Sequence, residues 1–292
     1  MKIRSKAPLR LGLAGGGTDV GPYTEKYGGA VLNATINLYA HCTLDTSVEG
    51  NFLYLEAVDF RKNEIISLED AINIHDCDLI LHRAVYKRVM KEFNNNKFIP
   101  LRIVTYCDVP PGSGLGSSST MVVAIIEAFR MMFGLPLGEY DIAKLAYSIE
   151  REDCSLNGGK QDQYAAAFGG FNFIEFYRNN VIVNPLNIRG HIINELQENM
   201  ILFYSGKSRD SDKIISAQMN AVSNSGKSLQ ALHDVKKLAY EIKESVLKNN
   251  IFNLKTLIKN SWASKKNTSD SISNKNIEEI EKTVYDAGAE AF

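Results

Sequence analysis

Residues 109–120, with the sequence VPPGSGLGSSST, form the most informative stretch of this 292-residue chain. Three glycines, Gly112, Gly114 and Gly116, precede four consecutive hydroxyl residues, and an apolar helical pattern follows at 121–133. A glycine-rich turn that ends at a helix N-terminus presents free backbone N–H groups and the positive end of the helix dipole to one point. Such a turn suits a phosphate group, and serine hydroxyls at its end can reach a Mg²⁺ ion held by that phosphate.

The alternative for this stretch is an ordinary strand-to-helix turn in which a serine caps the helix. That turn needs one serine and at most one glycine, so three glycines and four hydroxyl residues exceed the requirement. The stretch is not a Walker A loop, because the pattern Gly-x-x-x-x-Gly-Lys-Ser/Thr is absent. We therefore favour phosphate binding.

The length of the chain predicts two domains. A hydrophobic content of 45% and a charged content of 23% are ordinary for a soluble globular protein and exclude disordered, collagen-like and coiled-coil classes. With 33 Lys and Arg residues against 34 Asp and Glu residues, the net charge of -1 gives no global attraction for nucleic acid or anionic lipid. An anionic ligand must therefore be held by local geometry.

The cysteines predict a reduced compartment. They form no Cys-x-x-Cys pair and have no histidine at metal-ligand spacing, so we interpret them as core thiols of a cytoplasmic protein; they are Cys42, Cys77, Cys107 and Cys154. No apolar run reaches the ~18 residues of a membrane span. Two basic residues, Lys6 and Arg10, interrupt the apolar stretch that a signal peptide would need.

The hydrophobic pattern predicts a first half rich in strands and a second half dominated by helices. Strands are expected at 8–13, 30–36, 39–48, 52–58, 64–68, 100–107, 171–176, 181–183 and 200–204. Helices are expected at 78–93, 121–133, 210–222, 228–248, 252–263 and 275–287. The change from a strand-rich to a helix-rich sequence predicts a domain boundary near residue 190.

A second group of candidate residues lies between 150 and 163. A helix that carries Glu150 is followed by a glycine turn with Lys160 and Asp162, which could supply a metal-binding carboxylate and a separate base. Taken alone, this stretch favours the simpler interpretation, in which charges at the end of a helix are solvated.

A third candidate is Arg10, which lies within an otherwise apolar strand. A buried, unpaired arginine is costly, so it should face a carboxylate or a phosphate. An arginine on an edge strand that points to solvent explains the pattern equally well. The three glycines at 15–17, just before Thr18 and Asp19, indicate that something approaches the main chain there.

In chain order, Arg10 with the glycines at 15–17, the glycine and serine stretch at 109–120 and the charged group at 150–163 resemble the motifs of the GHMP small-molecule kinases. This family includes galactokinase, homoserine kinase, mevalonate kinase and phosphomevalonate kinase. Within that family, PLRLGLAGGGTD at 8–19, GAVLNATI at 29–36 and the stretch from ERED at 150 to GGFNF at 173 are similar to the D-glycero-D-manno-heptose 7-phosphate kinases. The resemblance runs from about residue 7 to the end. It implies an α+β fold with two domains: a ribosomal-S5-like, ATP-binding and catalytic domain at 1–190, and a ferredoxin-like domain at 191–292 that lacks its last strands.

The resemblance also assigns roles to residues. Asp162 would lie beside the accepting sugar hydroxyl, with Arg10 as its cationic partner at the γ-phosphate and Lys160 as a further catalytic charge. Glu150 and Ser118 would share a Mg²⁺ ion. The ATP triphosphate would be wrapped by Pro111, Gly112, Ser113, Gly114, Leu115, Gly116, Ser117 and Ser118. The sugar would be held by Gly16, Gly17, Thr18, Asp19 and Gly159, with Arg209 as the seat of its 7-phosphate.

The implied reaction is in-line transfer from MgATP to the anomeric C1 hydroxyl of D-glycero-D-manno-heptose 7-phosphate, giving the 1,7-bisphosphate for nucleotide-activated heptose of capsule, lipopolysaccharide or other surface glycans. ATP and Mg²⁺ are the expected cofactors, and the partners are small molecules, with no nucleic acid and no membrane. One alternative is another GHMP sugar 1-kinase of the fucose or galactose type. Another is a truncated, non-catalytic nucleotide-binding relic, because the family's third glycine-rich motif would follow the helix that ends near 287. Oligomeric state stays open.

Overall fold

The structure is a computed structural model that describes residues 1–74, 77–206 and 211–292. It divides into two compact units. Unit 1 comprises Met1–Arg10 and Thr35–Gly169, and unit 2 comprises Leu11–Ala34 and Gly170–Phe292. The units do not follow chain order, because two long N-terminal strands each contribute residues to both. The division of the family domains at 190 stays a prediction.

The described residues form strands and helices in the mixture that an α+β fold requires, as predicted. The strands are β1 (Lys2–Ala14), β2 (Gly29–Asp45), β3 (Phe52–Ala57), β4 (Lys62–Ser67), β5 (Leu101–Cys107), β6 (Phe171–Phe176) and β7 (Val181–Pro185). The helices are α1 (Tyr23–Tyr27), α2 (Ile80–Phe93), α3 (Ser117–Phe133), α4 (Glu139–Ser148), α5 (Gln161–Phe168), α6 (Gly190–Glu198), α7 (Ser211–Asn224), α8 (Gly226–Leu247), α9 (Ile251–Lys266) and α10 (Lys275–Asp286).

In unit 1 the strand order is β4-β3-β5-β2, in which β3 and β5 run parallel and the other pairs are antiparallel. Residues of β5 alternate between the core and the opposite face, so Leu101 and Ile103 are buried whereas Arg102 is exposed. Helix α3 is buried along most of its length and packs against α2, α4 and α5. This buried helix places the glycine and serine stretch at one defined point of the unit.

In unit 2 the N-terminal part of β2 pairs with β6, and β6 pairs with β7, both antiparallel. Leu32 and Phe173, which lie opposite each other on β2 and β6, belong to a core that also contains Ala239 of α8 and Leu254 of α9. After Pro185 the described residues form helices and connecting segments without strands. None of the described helices is both long enough and apolar enough to cross a membrane.

The strand predicted at 200–204 is wrong. These five residues belong to no strand, and Ile201 is 93% exposed. An apolar and aromatic run becomes a strand only when a neighbouring strand accepts and donates its backbone hydrogen bonds.

A second difference concerns the start of α3. This helix begins at Ser117 rather than at residue 121, because Gly116 adopts the left-handed conformation immediately before it.

Helices α1, α5 and α6 fall where no helix was predicted, and α4 leads directly into the helical turn of Glu150, for which a helix was predicted without bounds. Helix α5 is only eight residues long and is bounded by glycine-rich turns, so its hydrophobic pattern is too short to give a helical period. In this chain, glycine-rich turns separate short helices as well as strands.

We expect His82 of α2 to make the stability of unit 1 dependent on pH. Its side chain is buried, and Nε2 lies 2.7 Å from the Thr105 hydroxyl on β5. Burial lowers the pKa of His82 to about 4. Between the ordinary histidine pKa of about 6.5 and this value, the unfolded chain binds a proton that the folded chain does not. The free energy of unfolding should therefore fall as the pH drops through this window, by at most roughly 1.4 kcal/mol per pH unit.

The substitution His82→Gln keeps a polar amide at this position but does not titrate, so we expect it to flatten the loss of stability between pH 7 and pH 4.5. Urea unfolding at a series of pH values measures the slope. His191→Gln, on the exposed surface of α6, is the matched control and should keep the wild-type slope. Equal slopes for wild type and His82→Gln would show that this histidine is not the group responsible.

Candidate active site

The glycine and serine stretch forms an uncapped helix start. Gly112, Gly114 and Gly116 all have positive φ, between 71° and 79°, which glycine adopts without strain. Gly116 is the N-cap of α3, and no side chain caps the first turn. The serine-capped turn considered as an alternative is therefore not what forms, and the first-turn N–H groups are left for another acceptor.

Arg10 is held between a carboxylate and the glycine-rich loop. Its Nε donates to Oδ1 of Asp162 at 2.7 Å, and a terminal nitrogen lies 2.6 Å from the same oxygen. Its other terminal nitrogen donates to the carbonyl of Gly114 at 2.7 Å, and its backbone N–H donates to the carbonyl of Leu115. Arg10 therefore does not point to solvent, which decides the alternative that its sequence pattern left open.

The carboxylate of Asp162 lies directly against the loop. A Cβ atom built on Gly116 would come within 3.2 Å of the Asp162 carboxyl carbon and Oδ2. Asp162 is in the first turn of α5, and its side chain keeps a quarter of its surface exposed. A hydroxyl that binds this carboxylate would therefore lie beside any phosphate bound to the loop.

Glu150 lies in a π-helical turn, Ile149–Asp153, a feature that is frequent at functional sites. It is 1% exposed, so the interpretation of Glu150 as a solvated charge is wrong. The Ser119 hydroxyl donates to its Oε2 at 2.9 Å, and the Gln163 amide donates to both the Glu150 carboxylate and the Ser119 oxygen. Burial raises the pKa of Glu150, and the neighbouring Arg151 partly opposes this effect.

The hydroxyl that meets Glu150 belongs to Ser119, whereas Ser118 is exposed at the helix surface. The shared metal site of Ser118 and Glu150 stays a prediction. Ser119 was missed because four hydroxyl residues in a row look alike in sequence. Only the rotation of α3 about its axis selects which one faces Glu150.

Arg151 was also missed, and it shapes the loop that leads to Asp162. Its terminal nitrogens donate to the carbonyl of Leu156 at 3.1 Å and to that of Gly159 at 3.2 Å. The guanidinium occupies the space where a Cβ atom of Gly158 would be. No sequence pattern reveals this pairing, because a guanidinium that binds backbone carbonyls needs no particular partner side chain.

Lys160 immediately precedes α5, and its ammonium lies over the ring of Tyr147, 5.4 Å from the ring centre. No contact between this ammonium and Asp162 is among the interactions described. The catalytic charge predicted for Lys160 and the sugar contact predicted for Gly159 stay predictions.

The second predicted glycine loop, at 15–19, lies in unit 2. The Thr18 hydroxyl lies 2.8 and 3.0 Å from the carbonyls of Gly15 and Ala30, which share its one proton, and it accepts from the Ala30 N–H. Asp19 is buried, and its Oδ1 accepts from the Gly17 N–H at 3.0 Å. These bonds shape the loop. The sugar contacts of Gly16, Gly17, Thr18 and Asp19 stay predictions, and Arg209 lies outside the described residues.

Comparison with known proteins now identifies the family. The model of the GHMP kinase N-terminal domain matches residues 80–170. A curated relative from Campylobacter jejuni, named D-glycero-alpha-D-manno-heptose 7-phosphate kinase, is 46% identical over 98% of this chain and 84% of the relative. The chain belongs to the GHMP kinase family. It is a phosphotransferase, as its motifs predicted.

Solved structures of relatives agree with this GHMP kinase fold. A crystal structure described as a D-glycero-D-manno-heptose 1-phosphate kinase from Bacteroides thetaiotaomicron has a TM-score of 0.78 and 42% identity, and the match covers 91% of this chain and 79% of that one. A structure of a putative sugar kinase from Campylobacter jejuni has a TM-score of 0.77 and 43% identity, with 98% and 82% covered. The predicted family and fold class are confirmed.

The contact between Arg151 and Gly158 of this GHMP kinase gives a testable prediction. Gly158→Ala places a methyl group where the guanidinium lies, so Arg151 must leave its two carbonyl acceptors and the loop before Asp162 must shift. We expect kcat to fall on the order of tenfold to a hundredfold, the cost of a misplaced reacting group. The steady-state rate of ADP formation in the presence of the acceptor sugar measures this.

The matched control is Gly190→Ala, where an added Cβ meets no atom within 4 Å; it should keep wild-type turnover. In an Arg151→Ala background the methyl group of Gly158→Ala has room, so the double variant should be no slower than Arg151→Ala alone. If the two effects multiply instead, the guanidinium contact is not the cause.

Proposed function

We propose that this GHMP kinase transfers the γ-phosphoryl group of ATP to the anomeric C1 hydroxyl of D-glycero-D-manno-heptose 7-phosphate, producing the 1,7-bisphosphate. The observation that carries the proposal is the Arg10–Asp162 pair, seated on the glycine-rich loop through Gly114 and Gly116. The relative at 46% identity, whose name specifies the heptose 7-phosphate, supports the choice of acceptor.

The proposed mechanism follows from this geometry. The triphosphate binds the backbone of the loop, which comprises Pro111, Gly112, Ser113, Gly114, Leu115, Gly116, Ser117 and Ser118. The sugar O1 attacks the γ-phosphorus, a new O–P bond forms, and the bond between the γ-phosphorus and the bridging oxygen of ADP breaks. The Asp162 carboxylate accepts the proton of O1, and Arg10 neutralises charge on the transferring group. Positioning and charge supply most of the acceleration.

The residues near Asp162 fit a Mg²⁺ ion bound with the nucleotide. A nucleotide-bound Mg²⁺ ion uses one or two protein oxygens and otherwise phosphate and water oxygens. Glu150 offers a buried carboxylate, and the serines at the start of α3, Ser118 as predicted and Ser119 by its contact with Glu150, offer hydroxyl oxygens. When bound, the ion would neutralise charge on the β- and γ-phosphates. The part of the chain that the structure describes holds no group of three or more His, Cys, Asp or Glu side chains suited to a metal.

On the acceptor side, we keep the loop residues Gly16, Gly17, Thr18 and Asp19 as the proposed sugar contacts, together with Gly159. Arg209 stays the proposed seat of the 7-phosphate. Within this proposal the reaction takes place in the cytoplasm, where the bisphosphate would enter the synthesis of nucleotide-activated heptose for capsule, lipopolysaccharide or other surface glycans.

A second candidate is a sugar 1-kinase with another acceptor. A relative named bifunctional fucokinase/GDP-fucose pyrophosphorylase from Arabidopsis thaliana is 25% identical over 73% of this chain, and a galactokinase from Thermosipho africanus is 28% identical over 68%. Each relative is less similar than the heptose kinase and is matched over a smaller part of this chain. We therefore favour the heptose 7-phosphate.

The acceptor assay separates these possibilities. The protein is incubated with MgATP and, separately, with heptose 7-phosphate, heptose 1-phosphate, L-fucose and D-galactose, and ³¹P NMR locates the new phosphate. We expect a phosphate at C1 of heptose 7-phosphate. Turnover of fucose or galactose alone would select the second candidate. ATP binding by calorimetry without turnover of any acceptor, in protein proven intact by mass spectrometry, would favour a nucleotide-binding protein.

Asp162→Asn tests the catalytic assignment. The amide keeps the size of the side chain but cannot accept the proton as a carboxylate does, so kcat should fall by roughly a hundredfold or more. ATP affinity, measured by calorimetry, should stay nearly unchanged because the loop backbone binds the triphosphate. Asp286→Asn, at an exposed position of α10, is the charge-matched control. Wild-type kcat in Asp162→Asn would contradict the role given to Asp162.

A further inference from the structure

The glycine loop at 15–19 is held by two of its own side chains and by a lysine from α9. The Thr18 hydroxyl binds the carbonyls of Gly15 and Ala30, and Asp19 binds the Gly17 N–H. The carbonyl of Gly16 accepts its hydrogen bond from Lys265 of α9, whose Nζ lies 2.7 Å away. One lysine, 249 residues along the chain, therefore fixes the peptide between Gly16 and Gly17.

The ammonium of Lys265 is also packed against Gly17. A Cβ atom on Gly17 would lie 2.6 Å from Nζ and 2.9 Å from Oε1 of Gln218, so no larger residue fits there while the two side chains keep their places. Gly17 has a φ of +94°, which a residue with a side chain rarely adopts. The loop and the lysine are thus matched in shape.

A buried network of two helices positions the lysine. Nζ donates to Oε1 of Gln218 on α7 at 3.2 Å, and the Gln218 amide donates to the Thr268 hydroxyl at 2.8 Å. The Thr268 hydroxyl in turn donates to the backbone carbonyl of Lys265 at 2.7 Å. Gln218 and Thr268 are fully buried. This closed ring of hydrogen bonds orients Lys265 toward the loop.

Holding an ammonium here has a cost in stability. Burial lowers the pKa of Lys265 to about 8, and the nearby charge of Asp19 only partly opposes this. An uncharged side chain of similar length would fill the space without the desolvation of a charge. The lysine therefore needs a use that apolar packing does not meet, and its hydrogen bond to the Gly16 carbonyl indicates where that use lies.

We propose that Lys265 is a positioning residue for the acceptor sugar: by binding the Gly16 carbonyl, it holds the 15–19 loop in the conformation that receives the sugar before the sugar arrives. The proposal rests on the proposed function, because it takes this loop as the acceptor site. Loss of the lysine leaves the loop able to reach the same conformation, but only at the cost of ordering it on binding. Acceptor binding weakens, whereas ATP binding and the chemical step do not change.

The test compares Lys265→Met with Lys266→Met. Lys266 is the next residue on α9 and is also partly buried, but it pairs with Glu281 and makes no described contact with the loop. For Lys265→Met we expect the KM for heptose 7-phosphate to rise on the order of tenfold, while kcat and the KM for ATP stay within about twofold of wild type. Lys266→Met should leave all three at wild-type values.

Hydrogen exchange of the loop amides gives a second readout that needs no substrate. The Thr18 N–H donates to Gly15 and the Gly17 N–H donates to Asp19, so both amides are protected while the loop keeps its conformation. In Lys265→Met they should exchange on the order of tenfold faster than in wild type, with no change in Lys266→Met.

The outcomes are distinct. An unchanged acceptor KM with unchanged loop exchange overturns the proposal. A fall in kcat and a rise in both KM values, together with a lower melting temperature, shows that Lys265 only supports the fold, which also overturns it. If the wild-type protein does not phosphorylate heptose 7-phosphate, the proposed function fails. The exchange measurement then decides the role of Lys265 in the loop by itself: faster exchange supports it, and unchanged exchange overturns it.

Discussion

The ion pair of Arg10 and Asp162 is the interaction on which the candidate active site depends. It joins the first strand to a short helix 152 residues later, and the same guanidinium holds the carbonyl of Gly114. The glycine-rich loop, the acidic residue and the cation are thereby fixed in one arrangement. Because Gly116 has no side chain, the carboxylate can lie against the loop, at the helix start where we propose that phosphate binds.

The charged groups of Glu150 and Arg151, near this pair, are fully and partly buried, respectively, and both make hydrogen bonds. Glu150 accepts hydrogen bonds from Ser119 and Gln163, and the terminal nitrogens of the adjacent Arg151 donate to backbone carbonyls of the next loop. The same solution recurs in unit 2, where Lys265 binds a glycine carbonyl. Backbone carbonyls accept hydrogen bonds from buried cations without introducing further charge. A carbonyl acceptor also fixes the path of a glycine-rich segment, which has little side-chain packing of its own.

Much of the candidate active site can be predicted from the sequence. The loop at 109–120, the pairing requirement of Arg10 and the candidate acids were all visible as residue types at fixed spacing, and the family resemblance placed them in one site. The strand predicted at 200–204 failed, since a local pattern does not show whether a neighbouring strand exists. The sequence favoured Ser118 over Ser119 as the partner of Glu150. Which serine faces Glu150 depends on where α3 begins and on what packs against the helix, and neither is visible in the local sequence.

The sequence by itself determined the family, the residue types of the glycine-rich loop and the identities of Asp162, Arg10 and Glu150 as its candidate partners. Those features reside in residue type and short-range spacing, which a chain carries whether or not it is folded. Only the tertiary structure decided that Arg10 faces Asp162 rather than solvent, that Glu150 is buried, and that Arg151 and Lys265 hold glycine loops by their carbonyls. Contacts with backbone atoms leave no signature in the partner residue, so they become visible only when distant segments of the chain are brought together.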